Sequence, residues 1–268
     1  MTPTSYFTDA SMMRRVHRER VVGLFGPRAL LMQATHPVAF AGFFAHTGAL
    51  DEPYERLNRT AVMMDTIAFG TRAEADKGTT MVRGMHRRVS GELTEATGRF
   101  PAGTPYAADD PVLLLWILAT LVDSALLVYE RYVGSLDRDE RDAFWQDYRV
   151  VGRLFGLKAD EMPAAIEDFD AYIDDMLTGD DLHVTDAARD LAIDIVMRPP
   201  VPLQFRPLLE YANFATVGLL PARVRDLYGF GWDPARGLSV RTGAEYVKRI
   251  VVPFLPERLR YVPSARAA

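Results

Sequence analysis

Apolar residues recur at helical spacing along almost the whole chain. The clearest run begins at Asp109 and reads DDPVLLLWILATLVDSALLVYERYVG, with Asp109 as N-cap, Pro111 in the first turn and Gly134 closing the helix. Its interior is apolar on nearly every side, which marks the central helix of a large helical domain. Asp137 to Gly156 is amphipathic, with Phe144, Tyr148, Val151 and Leu154 along one stripe. Ala159 to Gly179 repeats the pattern with Met162, Ile166, Phe169, Tyr172, Ile173 and Met176 facing inward. Thr185 caps a further helix to Met197, halted by Pro199-Pro200. Pro27 to Thr35, Pro37 to Thr47 and Pro53 to Gly70 each start with a proline. Arg72 to Thr97 reads as one long helix ended by Gly98. Leu208 to Leu220, Pro221 to Tyr228 and Gly243 to Pro253 complete the set. Strand-like alternation is scarce, and no Asn-Gly or Asp-Gly turn joins apolar runs. Neither an internal repeat nor a Ser/Gly linker divides the chain. The pattern predicts an all-α fold, one globular domain over residues 1–268 of roughly ten helices. Its core spans about residues 20–253, and the C-terminal tail from Pro263 is expected to be disordered.

Composition narrows the chemistry. Apolar residues make 49% of the 268 and charged residues 25%, an ordinary globular balance. There is no cysteine, which excludes a disulfide framework, a thiolate nucleophile, an iron–sulfur cluster and any thiolate-held zinc or haem. A metal must then be held by carboxylates or by one of five histidines. The net charge of −5, with no basic excess apparent on one face, argues against nucleic acid. No positive stretch precedes an apolar core at the N-terminus, and the run Pro111 to Val122 stops at Asp123, short of the roughly 20 residues that span a bilayer. A soluble, cytoplasmic protein without a transmembrane segment is the expectation.

Familiar enzyme signatures are missing: the chain holds no G-x-G-x-x-G, P-loop, G-x-S-x-G or H-E-x-x-H. Asp109-Asp110, Asp174-Asp175 and Asp180-Asp181 are adjacent pairs that diverge on a helix, so they read as caps and solvated surface. Two segments set polar groups among apolar ones. In the first, Arg56 and Thr60 are four apart on one helix face, with Arg59 beside them and Met63 and Met64 inward. A buried guanidinium needs an anionic partner, either a protein carboxylate or an anionic ligand. In the second, Val82, His86, Val89 and Leu93 share a stripe. His86 is then either a hydrogen-bonded core histidine or the single imidazole that holds a haem iron. It has no His, Asp or Glu at three or four residues' distance to chelate zinc. His36 and His46 sit at helix junctions, where capping explains them; His17, among arginines, and His183, in an acidic loop, read as exposed.

In their order and spacing, Leu31-Met-Gln-Ala-Thr-His36-Pro37, Arg56-Leu-Asn-Arg59-Thr60, Phe69-Gly70-Thr71 and His86 resemble the MpaB-like oxygenases. That family includes the catalytic domain of latex-clearing protein, a rubber oxygenase. Tyr106-Ala107-Ala-Asp109-Asp-Pro111, Trp116 and Gly218-Leu-Leu-Pro221 extend the resemblance over roughly residues 20–230. It implies an all-helical haem b protein whose pocket binds O2 and oxidises a small-molecule substrate. His86 matches the proximal iron ligand, while Arg56 and Thr60 match residues that support haem, Arg56 by pairing with a propionate. Arg59 and His36 are the polar groups placed to stabilise charge on oxygen. Rubber oxygenases carry a lysine where this chain has Arg59, and a guanidinium, which stays protonated, cannot take that amine's place on iron. With no secretion signal read here, a small, partly apolar substrate inside the cell replaces an extracellular polymer. The reaction is oxidative cleavage or hydroxylation. The alternatives are a haem peroxidase-like oxidoreductase, a haem- or lipid-binding helical protein without turnover, and a metal-free interaction protein; a homo-oligomer stays open.

Overall fold

A computed structural model describes residues 4–45 and 53–267, with side chains over 4–42 and 58–266. The expected helices are α2 (Phe25–Gln33), α3 (Pro37–Ala45), α4 (Pro53–Phe69), α5 (Arg72–His86), α6 (Pro111–Tyr132), α7 (Arg138–Phe155), α8 (Ile166–Thr178), α9 (Asp186–Met197), α10 (Arg206–Leu219), α11 (Ala222–Tyr228) and α12 (Pro234–Tyr246). A short α1 (Met12–His17) precedes them, and α13 (Val252–Phe254), α14 (Glu257–Arg260) and α15 (Pro263–Ala267) follow. The fold is all-α apart from one two-stranded hairpin among the described residues.

Helix α6 is the axis of the core. Asp110, rather than Asp109, caps it by accepting the Val112 and Leu113 N–H groups at 2.8 and 3.4 Å, and Pro111 follows at N1. Trp116, Ala119, Val122, Ala125 and Val128 are fully buried along it. By length and composition α6 is apolar enough to cross a membrane, and its central position in the core accounts for that composition. Arg28 of α2 enters this core, donating to Asp123 at 2.7 Å, Ser124 at 2.6 Å and the Leu219 carbonyl at 2.8 Å, so one guanidinium ties α2, α6 and α10.

Several boundaries differ from the sequence reading. The long helix from Arg72 ends at His86, and the chain turns into β1 (Ser90–Glu92) and β2 (Pro105–Ala107), paired antiparallel with Gly91 opposite Tyr106. Gly98 and Gly103, both at positive φ, form the turns between them. Val89 and Leu93 therefore leave the helical stripe shared with His86. Pro163 breaks the helix expected from Ala159 to Gly179 into a 3-10 turn, Ala159–Glu161, and α8. Helix α12 starts earlier than expected because Asp233 caps the Arg236 N–H at 2.8 Å ahead of Pro234.

Beyond α13 the described chain is tied back to the body. Arg260 grips the buried Glu19 with three hydrogen bonds of 2.7–3.1 Å, the Val262 N–H donates to Arg18 O at 2.8 Å, and Ser264 of α15 donates to Asp65 of α4 at 2.6 Å. His17, expected to be solvated, lies against Phe25, Phe144 and Tyr148, with its Nε2 2.8 Å from the Tyr148 hydroxyl.

Candidate functional site

Helices α4 and α5 form an antiparallel hairpin turned at Gly70-Thr71. Thr71 caps α5 in a reciprocal box with Glu74: each side chain accepts the other residue's backbone N–H. Midway along, Gly78 of α5 lets Met63 of α4 approach so closely that an added Cβ would lie 2.3 Å from Met63 Cε. Counted outward from that contact, Thr60 comes level with Met81 and Arg59 with Val82, and His86 ends α5 one turn beyond.

Burial fades toward this open end. On α4, Met64, Ile67 and Ala68 are buried, but Thr60, one turn before Met64 on the same face, is exposed, as is Arg59. The inward placement expected for Thr60 therefore does not hold; the core stops one turn short of it. On α5, Ala75 and Thr79 are buried, Val82 and His86 half-buried, and Met81 and Met85 are 62% and 52% exposed. Val62 is exposed too. Toward this end α5 presents an apolar shelf of Met81, Val82 and Met85 with the half-buried His86 on the same helix, and α4 brings the exposed Arg59 and Thr60 level with it. Arg56, expected to join this group, and His46 lie outside the residues whose side chains are described. The enclosed pocket expected of the fold is likewise not among the described features; what is described is this open shelf.

His36 is placed elsewhere. It is 4% exposed at the start of α3, where its Nδ1 accepts the Ala39 N–H at 3.3 Å, which leaves the proton on Nε2. Burial lowers its pKa below the ordinary histidine value, opposed by the nearby Asp181, so the ring is neutral at pH 7. Phe100 stacks obliquely 5.4 Å away, and Arg99 pairs with Asp181 beside it. Helix α3 links the two regions. Its Gly42 packs on Val89 and Tyr106, and Val89 N–H donates to the His86 carbonyl at 2.9 Å. His36 lies six residues before Gly42, about 9 Å along the helix axis.

Among the described residues no three His, Asp or Glu side chains gather to chelate an ion. The half-buried His86 imidazole, with methionines on the same helix and a guanidinium level with them, has the chemistry that a planar apolar cofactor with acidic substituents would need: one protein ligand, apolar cover and a cation. Haem b is such a cofactor. The sequence did not mark the shelf, because nothing in the spacing of Met81 and Met85 distinguishes an exposed apolar position from a buried one. The larger described cavity, a polar groove of about 710 Å³ lined by Arg14, Asp65, Thr66, Glu74, Ser264 and the Phe69-Gly70-Thr71 run, lies at the turn end of the hairpin and holds neither His86, Arg59, Thr60 nor His36.

Comparison with known proteins places these residues in context. Residues 14–249 match the family described as ER-bound oxygenase mpaB/B'/Rubber oxygenase, catalytic domain. An uncharacterized protein of Mycobacterium bovis and one of Mycobacterium tuberculosis are each 26% identical over 189 residues, 69% of this chain and 69% of the relative. No solved structure matches.

Proposed function

We propose, from the premise that this chain belongs to the mpaB/rubber oxygenase catalytic-domain family, that it is a haem b-dependent oxygenase acting with O2 on a small, partly apolar molecule. Oxygenase activity is the property of the family; the cofactor, its ligand and the substrate class are the proposal. Haem b, when bound, supplies a redox-active iron for dioxygen chemistry.

The observation that carries the reading is the open end of the α4/α5 hairpin, where His86 shares α5 with an apolar shelf and Arg59 and Thr60 come level with it on α4. His86 is the residue that holds the cofactor. Its backbone is held at the end of α5, where its carbonyl accepts the Val89 N–H, next to the residue that packs on Gly42 of α3. Met81, Val82 and Met85 exclude water from the cofactor's face, and Thr60 and Arg56 support its polar edge. Arg59 carries a permanent charge that stabilises negative charge developing on dioxygen as it is reduced. His36, neutral with its proton on Nε2, positions α3, and through Gly42 the segment that follows His86.

The test is the visible spectrum of protein expressed with a haem precursor. A Soret band that shifts with carbon monoxide after reduction, is lost in His86→Ala and returns with added imidazole is the expected result. Colourless protein, or a spectrum indifferent to His86→Ala, overturns the assignment. A Soret band unmoved by carbon monoxide favours a haem-binding protein without turnover.

A further inference from the structure

Away from the α4/α5 hairpin, a second face leaves large apolar side chains in solvent. From Pro234 to Phe254 the chain runs through α12, a π turn (Val247–Val251) and α13. Leu238, Tyr246, Ile250 and Phe254 stand exposed on it at multiples of four residues. On α10 and the 3-10 turn before it, Leu203, Phe205 and Leu208 are exposed as well. Two close approaches set the register: a Cβ on Gly218 would lie 2.7 Å from Val240 Cγ2, and one on Gly243 would lie 2.8 Å from the Tyr211 hydroxyl. The two helices are therefore antiparallel. Continued outward, that register brings Leu208 level with Tyr246, Phe205 with Ile250 and Leu203 with Phe254. The seven side chains form one surface rather than scattered exposures.

Exposure rises toward one end, reaching 79% at Phe254 and 74% at Leu203, with Leu259 exposed nearby. Cations accompany these residues in sequence, as Phe205-Arg206, Arg249-Ile250 and Arg258-Leu259, and all three arginines are exposed. Of the three, only Arg249 has an ion pair among the described residues, with Glu245 at 2.7 Å. The charge of the whole chain is divided the same way. Residues 198–268 hold eleven Lys and Arg against five Asp and Glu, whereas residues 1–197 hold twenty against thirty-one.

A protein interface has an apolar centre and a polar rim. Here the most protruding apolar groups form a tip with arginines interleaved. A symmetric dimer through this face would also set the same basic surface against itself. Anionic headgroups over hydrocarbon satisfy both the charge and the apolar area. We propose that this tip is a peripheral docking surface for a bilayer containing anionic lipid, with Leu203, Phe205, Ile250, Phe254 and Leu259 entering the headgroup boundary and Arg206, Arg249 and Arg258 meeting lipid phosphates. The inference is independent of the cofactor at His86.

Flotation of the full chain with vesicles tests it, comparing phosphatidylcholine alone with a mixture containing phosphatidylglycerol. The expected result is flotation with the phosphatidylglycerol vesicles only, weakened by added salt. The double variant Leu203→Ser/Phe254→Ser should lose binding about tenfold or more, with an unchanged melting temperature because both side chains are exposed. Arg249→Glu/Arg258→Glu should abolish the lipid preference. Protein that stays unbound with both vesicles, or binds both equally, overturns the proposal. So does light scattering that shows a dimer dissociated by the serine variant, which would assign the face to a second copy of this chain.

Discussion

At the residue scale the His17–Tyr148 pair is the most consequential side-chain contact outside the candidate site. Burial pushes the His17 pKa down to about 4 and raises that of Tyr148 well above its ordinary range, so both are neutral in the native state. The unfolded histidine takes up a proton near pH 6.5 that the native one refuses until about 4. Between those values the unfolded state binds more protons, so stability rises with pH through this window and is lost as pH falls. The loss reaches on the order of 3 kcal/mol at the acid end of the window. Chemical denaturation at pH 7.5 and pH 5 should show this decline. His17→Phe should flatten it by about one proton, at a cost of roughly 1–3 kcal/mol at pH 7.5 for the stranded Tyr148 hydroxyl. An unchanged pH slope in the variant would show that another group carries the effect. The sequence hid this residue because its neighbours are arginines, whereas its burial comes from Phe144 and Tyr148, more than a hundred positions away. His86 was the opposite case. Its side of α5 was legible from Val82 at four residues' spacing, although Val89 and Leu93, which seemed to extend that stripe, belong to the hairpin beyond.

At the element scale, two glycines inside helices separate two kinds of close approach. A Cβ on Gly152 of α7 would meet Met162 Sδ at 2.5 Å, Leu118 Cδ2 at 3.0 Å and Leu157 Cδ1 at 3.4 Å, three core groups with little room to yield. On Gly78 it would meet only the flexible end of Met63. Gly152→Ala should therefore destabilise by about 1–3 kcal/mol through overpacking. Gly78→Ala should stay within about 1 kcal/mol of wild type, since the gain in helix propensity offsets the displacement of Met63. Comparative denaturation midpoints decide this, and a larger loss at Gly78 would mean that the α4/α5 hairpin is packed more tightly than its exposed end suggests. The helices themselves were readable because capping and periodicity are local, as with Asp137 before α7 and Thr185 before α9. What escaped was non-local or rested on few residues. The six residues of α1 are too few to show a period, and the cap they need comes from Asp147 of α7, which accepts the Met13 N–H at 2.8 Å. The β-hairpin offers only three residues per strand.

At the scale of the whole molecule, the all-helical fold could be read from pattern alone, but the shelf and the basic apolar tip could not. Both depend on where burial stops, and that is decided by neighbours rather than by spacing. The tail behaves in the same way. Its sequence from Pro263 predicts disorder, whereas the helix of residues 263–267 is tied by Ser264 to Asp65, about two hundred positions away. Glu19 is 2% exposed, so Arg260→Ala strands a buried carboxylate and should cost about 3 kcal/mol, seen as a lowered denaturation midpoint. Glu19→Gln in the same background should recover part of that loss by removing the charge. If Arg260→Ala leaves the midpoint unchanged, the strap is a surface contact without structural weight.

The Glu19–Arg260 clasp also bears on how the protein is made. The two residues stand 241 positions apart, so the carboxylate has nothing to neutralise it until the whole segment between them has been made. The segment around Glu19 therefore stays unsealed while every core helix is being synthesised. A chain interrupted before Arg260 would keep every core helix and still have an open seam, one that cellular proteolysis can recognise as unfinished.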